Sequence, residues 1–184
     1  MAITYDTTID QGANWYINFI YNQPVTITNI VGNGTTITYT TDTQAFSVGQ
    51  LVSISGVIPS QYNLTNVAIA TRTTTSFTIT NPSTGTYISG GVAYVPVNLT
   101  GCTAALQLRS LPNDPTAALT LTTANSGIAI TGLTGTIAVS ATATQTRAID
   151  EGYYYYDLEV TNTASGVVTR IAQGQILVSA EITR

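Results

Sequence analysis

Two carboxylates on one predicted strand, Asp157 and Glu159, come closest in type and spacing to an active site. Side chains two residues apart on a strand share a face and lie ~7 Å apart along the chain. Retaining glycosidases hold two carboxyl groups about 5–5.5 Å apart, so this spacing alone is compatible with acid–base chemistry. However, an Asp-x-Glu pair is also common on polar strand faces, and no neighbouring pattern indicates a sugar cleft. We therefore expect a solvent-facing pair and hold hydrolysis as the weakest alternative.

The remaining residue types argue against catalysis. The chain has no histidine, which removes the usual general base, the Ser-His and Cys-His pairs and the commonest metal ligand. Its single cysteine, Cys102, cannot form an internal disulfide and is expected to be a buried thiol. Asp6 and Asp10 could join other carboxylates at a cation, but the sequence has no Asp/Gly-rich calcium loop. We predict that the protein is not an enzyme and uses no cofactor or metal.

The charge content constrains the partners. Charged residues make up only 8% of the chain, against roughly a quarter in a typical soluble protein. Neutral polar side chains can be buried against a partner at a lower desolvation cost than ions. The net charge is −4 and the five basic residues are scattered arginines, whereas a nucleic-acid surface needs clustered positive charge. We expect protein partners in an assembly, no nucleic acid and no membrane span, since no apolar run approaches ~20 residues. The N-terminus has neither a basic start nor an apolar stretch, so we also expect no secretory signal.

Four consecutive tyrosines, Tyr153 to Tyr156, are the most unusual feature of the sequence. Alternation on a strand places Tyr154 and Tyr156 toward a core, and it places Tyr153 and Tyr155 on the outer face with Asp157 and Glu159. Exposed tyrosines combine a large apolar area with a hydroxyl group and are enriched at interfaces. Ordinary cross-strand packing is the alternative. The candidate interface residues are Tyr153, Tyr155, Asp157 and Glu159.

The elements that position these residues are predicted to be strands. Val, Ile, Thr and Tyr dominate, and turn residues recur at short intervals. Alternation between Ala13 and Tyr21 directs Trp15 and Phe19 to a core, and Gly32-Asn33-Gly34 favours a hairpin turn. The remaining residues predicted for the core of the same sandwich are Leu106, Leu108, Ile137, Val139, Tyr156, Leu158 and Val160. One short helix is predicted at 143–148, and the final strand is expected to bend or break near Gly174. The other predicted strands are Val25–Val31, Thr35–Thr41, Leu51–Ser55, Val67–Arg72, Ser76–Thr80, Gly91–Val95, Thr103–Arg109, Ala118–Thr122, Ile128–Thr131, Thr136–Ser140, Tyr153–Val160 and Val167–Ser179.

The composition changes near Gln23-Pro24 and again near Val95-Pro96. The segment between these points has few charges and its own hydrophobic alternation, and an unstructured loop of that length would be improbable. We predict a small β domain at 24–94, inserted after the first core strand of a β-sandwich formed by 1–23 and 95–184. The predicted fold class is therefore all-β.

Several segments of the outer halves occur in a recognisable order. They are Asp10-Gln-Gly-Ala-Asn-Trp15, Val97-Asn-Leu-Thr-Gly-Cys102 leading into Ala104-Ala-Leu-Gln-Leu-Arg109, Ala138-Val-Ser-Ala-Thr-Ala-Thr-Gln-Thr146, Gly152-Tyr-Tyr-Tyr-Tyr-Asp-Leu-Glu-Val160 and Thr169-Arg-Ile-Ala-Gln-Gly174. In this order they resemble the N-terminal domain of phage baseplate upper proteins. Within the insert, Phe46-Ser-Val-Gly-Gln-Leu-Val-Ser-Ile-Ser-Gly56 with Pro59-Ser-Gln-Tyr-Asn63 resembles a small β module of phage tail and fibre proteins.

These resemblances imply a bacteriophage virion structural protein with an immunoglobulin-like β-sandwich anchoring domain. The implied role is a tail or baseplate accessory or fibre-attachment component. It would be present in multiple copies, contact other virion proteins and be assembled in the bacterial cytoplasm. The alternatives are a capsid decoration or cement protein, and a carbohydrate- or receptor-binding module that uses Tyr153, Tyr155 or loops of the insert.

Overall fold

A computed structural model describes residues 2–182 of the chain. In chain order its strands are β1 Ile3–Thr4, β2 Thr7–Asp10, β3 Trp15–Ile20, β4 Asn22–Asn33, β5 Thr36–Thr41, β6 Leu51–Ile58, β7 Leu64–Ala68, β8 Thr71–Arg72, β9 Ser76–Thr80, β10 Thr84–Thr86, β11 Ser89–Pro96, β12 Cys102–Arg109, β13 Leu119–Thr122, β14 Ile128–Thr131, β15 Thr136–Ala141, β16 Gly152–Asn162 and β17 Val168–Ser179. One α-helix, α1, spans Ala143–Arg147, and short 3-10 turns lie at Ser60–Tyr62 and Gly132–Thr134. The prediction of an all-β fold is confirmed. Among residues 2–182, no helix has the length and apolar character needed to cross a lipid bilayer.

The chain folds into two compact units. The outer unit contains the described residues up to Tyr21 and those from Leu99 onward, and the inserted unit is Asn22–Asn98. The predicted insert, 24–94, lies within the second unit.

The outer unit is a sandwich of two sheets. One has the order β1-β17-β16-β12-β13, with β2 also paired to β17, and the other has the order β14-β15-β3. When β3 is equated with strand B, and β12, β13, β14, β15, β16 and β17 with C, C′, D, E, F and G, these orders are GFCC′ and DEB. This is the strand order of the immunoglobulin-like sandwich. The insert occupies the connection between the B and C strands.

Alternating side chains fill this sandwich as the sequence predicts. Trp15 is 7% exposed while its neighbour Tyr16 is 72% exposed, so the register predicted for β3 is confirmed. All nine predicted core residues are buried: Trp15, Phe19, Leu106, Leu108, Ile137, Val139, Tyr156, Leu158 and Val160.

A turn held by one tyrosine precedes β16. Helix α1 begins with a capping box, in which the Thr142 and Gln145 side chains satisfy each other's backbone N–H groups. The Tyr154 hydroxyl then donates to the Asp150 carbonyl oxygen at 3.0 Å. A tyrosine near the start of strand F that bonds back to the E–F connection is a hallmark of this fold.

The last strand differs from its prediction. Of the bend or break expected near Gly174, the break is wrong, because β17 runs unbroken through Gly174. The irregularity of the strand lies three residues earlier, at Ile171. Leu158 pairs with Ala172 and Glu159 with Arg170, which leaves Ile171 as the extra residue of a β-bulge. At Gly174 the strand lies so close to the N-terminal segment that a side chain would not fit, because a Cβ there would lie 2.3 Å from the Tyr5 carbonyl oxygen.

The inserted unit is built on one long strand. β4 pairs with β11 through its first half and with β5 through its second, with a register shift between Ile27 and Asn29. The sheet order is β7-β6-β11-β4-β5-β9-β8, and β10 also pairs with β4. Its core is the following set of buried residues: Val25, Ile27, Ile30, Ile37, Tyr39, Phe46, Val52, Ile54, Val57, Tyr62, Ile69, Phe77, Ile79, Ala93 and Val95.

Two local predictions for the insert have different outcomes. The hairpin at Gly32-Asn33-Gly34 is confirmed, and the Asn33 side chain accepts from the N–H groups of Thr35 and Thr36. The single strand predicted at 67–72 is wrong, because the chain changes partners at Ile69. β7 pairs with β6, whereas β8 pairs with β9.

Candidate protein-contact surface

The outward side chains of β12, β16 and β17 form three cross-strand rows. The register places Tyr155 between Arg109 and Gln175, Asp157 between Gln107 and Gln173, and Glu159 between Ala105 and Arg170. Opposite residues on neighbouring strands have Cβ atoms about 4.5–5.5 Å apart, so each row is a set of interacting side chains. We call these three rows, together with Tyr153 on the same face of β16, the outer face.

The bulge at Ile171 determines what Arg170 contacts. Ile171 and Ala172 are both buried, so the extra residue returns the strand to alternation with Arg170 on the outer face. The Arg170 guanidinium lies 3.1 Å from the Asp157 carboxylate and 3.6 Å from that of Glu159. The two candidate carboxylates therefore share one cation, an arrangement that the spacing within β16 does not predict.

A second arginine lies at the other end of the outer face. Arg109 donates to the Gln107 side-chain oxygen at 2.8 Å and to the Asp114 carbonyl oxygen. Asp114 lies in the turn-forming sequence Asn113-Asp-Pro115 and caps its own turn by accepting from the N–H of Leu111 and the hydroxyl of Ser110. The Ser110 hydroxyl, the Leu111 N–H and the Arg109 guanidinium lower the pKa of Asp114. This turn holds Arg109 beside Tyr155.

The N-terminal segment forms the opposite wall. Between β1 and β2, the Tyr5 carbonyl oxygen accepts from the Tyr156 hydroxyl at 2.7 Å, and the Asp6 carboxylate accepts from the Gln175 N–H at 2.8 Å. Burial, followed by the Asp6 carboxylate and Tyr5, raises the pKa of Tyr156 to about 12. The Asp6 carboxylate thus faces the groove beside Gly174.

These walls enclose a groove of about 670 Å³. Three of the four candidate interface residues, Tyr155, Asp157 and Glu159, line it. Tyr153 lies on the same strand face two residues away and is 68% exposed, against 40% for Tyr155. Sequence reasoning considered Asp6 only as a possible cation ligand, and it did not identify the other polar residues that line the groove, which include Gln107, Arg109, Arg170, Gln173 and Gln175.

The chemistry of the groove is that of hydrogen bonding and ion pairing. Its ionic groups are the carboxylates of Asp6, Asp157 and Glu159 and the guanidinium groups of Arg109 and Arg170. Within residues 2–182, no cluster of three or more His, Cys, Asp or Glu side chains could hold a metal ion. Cys102 is half-buried at the start of β12, so the expected buried thiol is only partly enclosed. An aromatic edge beside amides and a shared ion pair suits recognition of a polar surface.

Comparisons of the sequence with protein families and with curated proteins add no relative to this description. No protein-family model matches the chain. A search of curated proteins likewise returned no match.

Proposed function

We propose that this chain is a structural protein of a bacteriophage virion that binds other virion proteins through its outer face. In this proposal it is a tail or baseplate accessory or fibre-attachment component, is present in several copies and has no catalytic role. The observation that carries the proposal is the outer face itself. Tyr153 and Tyr155 stand exposed beside a groove in which Asp157 and Glu159 are already paired with Arg170.

Physical chemistry makes this face suitable for burial. Tyrosine supplies a large contact area with few rotatable bonds, and exposed aromatics are frequent anchors of interfaces. Because Arg170 is shared by Asp157 and Glu159, a partner that covers them would bury an ion-paired group with one excess negative charge instead of three isolated charges. The low overall charge and the likeness of the outer segments to the baseplate domain support an assembly role.

The first test asks whether this chain is present in purified phage particles. Mass spectrometry of purified particles should detect this chain, and its absence from them would refute the proposal. The double variant Tyr153→Ser/Tyr155→Ser should then be incorporated less, because truncating a buried interface aromatic commonly costs about 2 kcal/mol or more.

A matched control variant distinguishes the loss of an interface contact from the loss of folding. Tyr94→Ser alters a tyrosine of the inserted unit that is as exposed as Tyr155, 40% in each case, and it should be incorporated normally. All variants should keep the unfolding midpoint reported by Trp15. Full occupancy of the double variant would assign the two tyrosines to sheet packing alone.

A second candidate function, carbohydrate binding, is favoured by one specific observation. The groove combines the ring of Tyr155 with the side-chain amides of Gln107, Gln173 and Gln175, and amides can both donate to and accept from sugar hydroxyls. A glycan array would detect such binding, and Tyr155→Ser should abolish any positive signal while Tyr94→Ser retains it.

A further inference from the structure

The other sheet of the sandwich ends in an unprotected strand. Among residues 2–182, β3 pairs with β15 on one side and no strand pairs with its other edge. Natural proteins usually protect such edges with charges, proline or a bulge. β3 has the sequence Trp-Tyr-Ile-Asn-Phe-Ile and pairs with β15 without a register shift, so it has none of these protections.

The hydrogen bonds identify which backbone groups are free. The Tyr21 N–H donates to Gly135 across the β3–β15 pair, and the Ser140 N–H donates away from β3 to Gly127. Antiparallel pairs alternate between bonded and non-bonded positions. Therefore Trp15, Ile17 and Phe19 bond to β15, and the N–H and C=O groups of Tyr16, Asn18 and Ile20 point to the open edge.

The same three residues carry exposed side chains on the outward face. Tyr16 is 72% and Ile20 is 60% exposed, and Asn18 is also exposed. No charged residue occurs between Asp10 and Asp42 or between Asp114 and Arg147. All three strands of this sheet are consequently uncharged, so pairing two copies along β3 places no like charges opposite each other on these strands.

We infer that β3 is a self-pairing edge, whose partner is β3 of a second copy of this chain in antiparallel orientation. A two-fold axis at Asn18 places Asn18 opposite Asn18 and Tyr16 opposite Ile20. In that register every free N–H and C=O of the three residues meets a free partner, and tyrosine packs on isoleucine across the join. The edge is self-complementary, as a two-fold interface requires. The product is a continuous six-stranded sheet.

This pairing is a property of the isolated chain and does not require a virion. A single strand pair is smaller than a standard interface, so the association is weak and needs high protein concentration. Sedimentation of the full chain between about 10 μM and about 1 mM should show a monomer–dimer equilibrium.

Substitutions locate the interface. Tyr16→Lys should shift the chain to monomer by placing two extra charges at the join. Ala129→Lys adds the same charge to the same face, on β14 at the far side of the sheet, and should leave the dimer intact. Asn18→Pro removes an N–H that β15 does not use, so it should abolish pairing while the sandwich stays folded.

Cross-linking tests the register in a Cys102→Ser background. Asn18→Cys should form an intermolecular disulfide, because opposite bonded residues have Cα atoms about 5.5 Å apart, within the range for a disulfide. Tyr16→Cys should not, because its symmetry mate lies four residues along the strand, roughly 14 Å away.

Two results would overturn the inference. One is a chain that remains monomeric at about 1 mM. The other is a dimer that forms equally well in Tyr16→Lys, or a cross-link that is equally efficient at positions 16 and 18. If the chain stays monomeric and its β3 edge instead binds a strand of an unrelated protein, that protein and not a second copy is the partner, and the inference is likewise overturned.

Discussion

At Gly174, the strand and the N-terminal segment meet more closely than any side chain allows. An added Cβ would lie 2.3 Å from the Tyr5 carbonyl oxygen and 2.8 Å from the Asp6 carboxylate. Gly174→Ala must therefore displace the N-terminal segment, and we expect a loss of about 1–3 kcal/mol in the free energy of unfolding. The measurement is urea denaturation followed by fluorescence of Trp15, the single tryptophan of the chain, which reports on the outer unit.

The neighbouring Gln175→Ala is the matched control, because its side chain is exposed and its Cβ is already present in the wild type. It should remain within about 0.5 kcal/mol of the wild type. Equal stability of Gly174→Ala would show that the N-terminal segment is not held at this position.

Tyr156 should make the outer unit sensitive to alkali. Its pKa is about 12 in the folded state against an ordinary value of 10.0, so between these values the folded state holds more protons than the unfolded state. Stability therefore falls as the pH rises through this window and is fully present below it. The contribution is on the order of 2 kcal/mol.

Tyr156→Phe removes the titrating group along with its bond to Tyr5. At neutral pH the variant should lose about 1 kcal/mol, and between pH 10 and about 12 its stability should decline less than that of the wild type. Urea midpoints read by Trp15 across this range decide the matter. Parallel declines would mean that Tyr156 does not govern the alkaline transition.

At the scale of elements, the connection from α1 to β16 depends on one hydroxyl. The Tyr154 side chain donates to the Asp150 carbonyl oxygen at 3.0 Å and so fixes the turn to the strand that follows it. Tyr154→Phe should cost about 1 kcal/mol. Tyr153→Phe makes the same chemical change on the exposed side of the same strand and should be neutral. Trp15-detected urea denaturation compares the two variants, and equal midpoints would deny the turn a stabilising role.

Local rules predict the elements but not their irregularities. Alternation correctly placed Trp15 and Phe19 in the core, because a strand with one buried face permits only one register. The helix at Ala143–Arg147 and the hairpin at Asn33 follow from capping and turn chemistry within a few residues. The bulge at Ile171 is different, because it is defined by how β17 pairs with β16 and not by the sequence of β17 alone.

The same distinction explains the candidate site. Tyr155, Asp157 and Glu159 belong to one strand, so their common face could be read from spacing two residues apart. Arg170 reaches them only because the bulge resets β17, and Asp6 only because the N-terminal segment lies along the other edge. The register between two strands, unlike the alternation within one strand, carries no local signal.

At the scale of the whole molecule, each unit has features of an independent domain. In the outer unit, the chain leaves at Tyr21 and returns at Leu99. The Tyr21 N–H donates to the Gly135 carbonyl oxygen and the Leu99 N–H donates to the Gly132 carbonyl oxygen, so both ends lie at the same short turn. In the inserted unit, Asn22 pairs with Pro96, so its ends are also adjacent. A domain with its own core and neighbouring ends tolerates excision.

Deleting residues 25–93 and joining the ends with a short Gly/Ser linker should therefore leave the outer unit folded. We expect a cooperative urea transition detected by Trp15, with a midpoint near that of the full chain, because none of the predicted sandwich core is removed. The separate fragment 22–98 should show a β-type circular dichroism spectrum, since all fifteen buried residues of its core are retained. Deleting only 51–58, which removes β6, is the matched control and should unfold the inserted unit while the Trp15 transition persists. Loss of the Trp15 transition in the 25–93 deletion would show that the sandwich depends on the insert and that the two units fold as one.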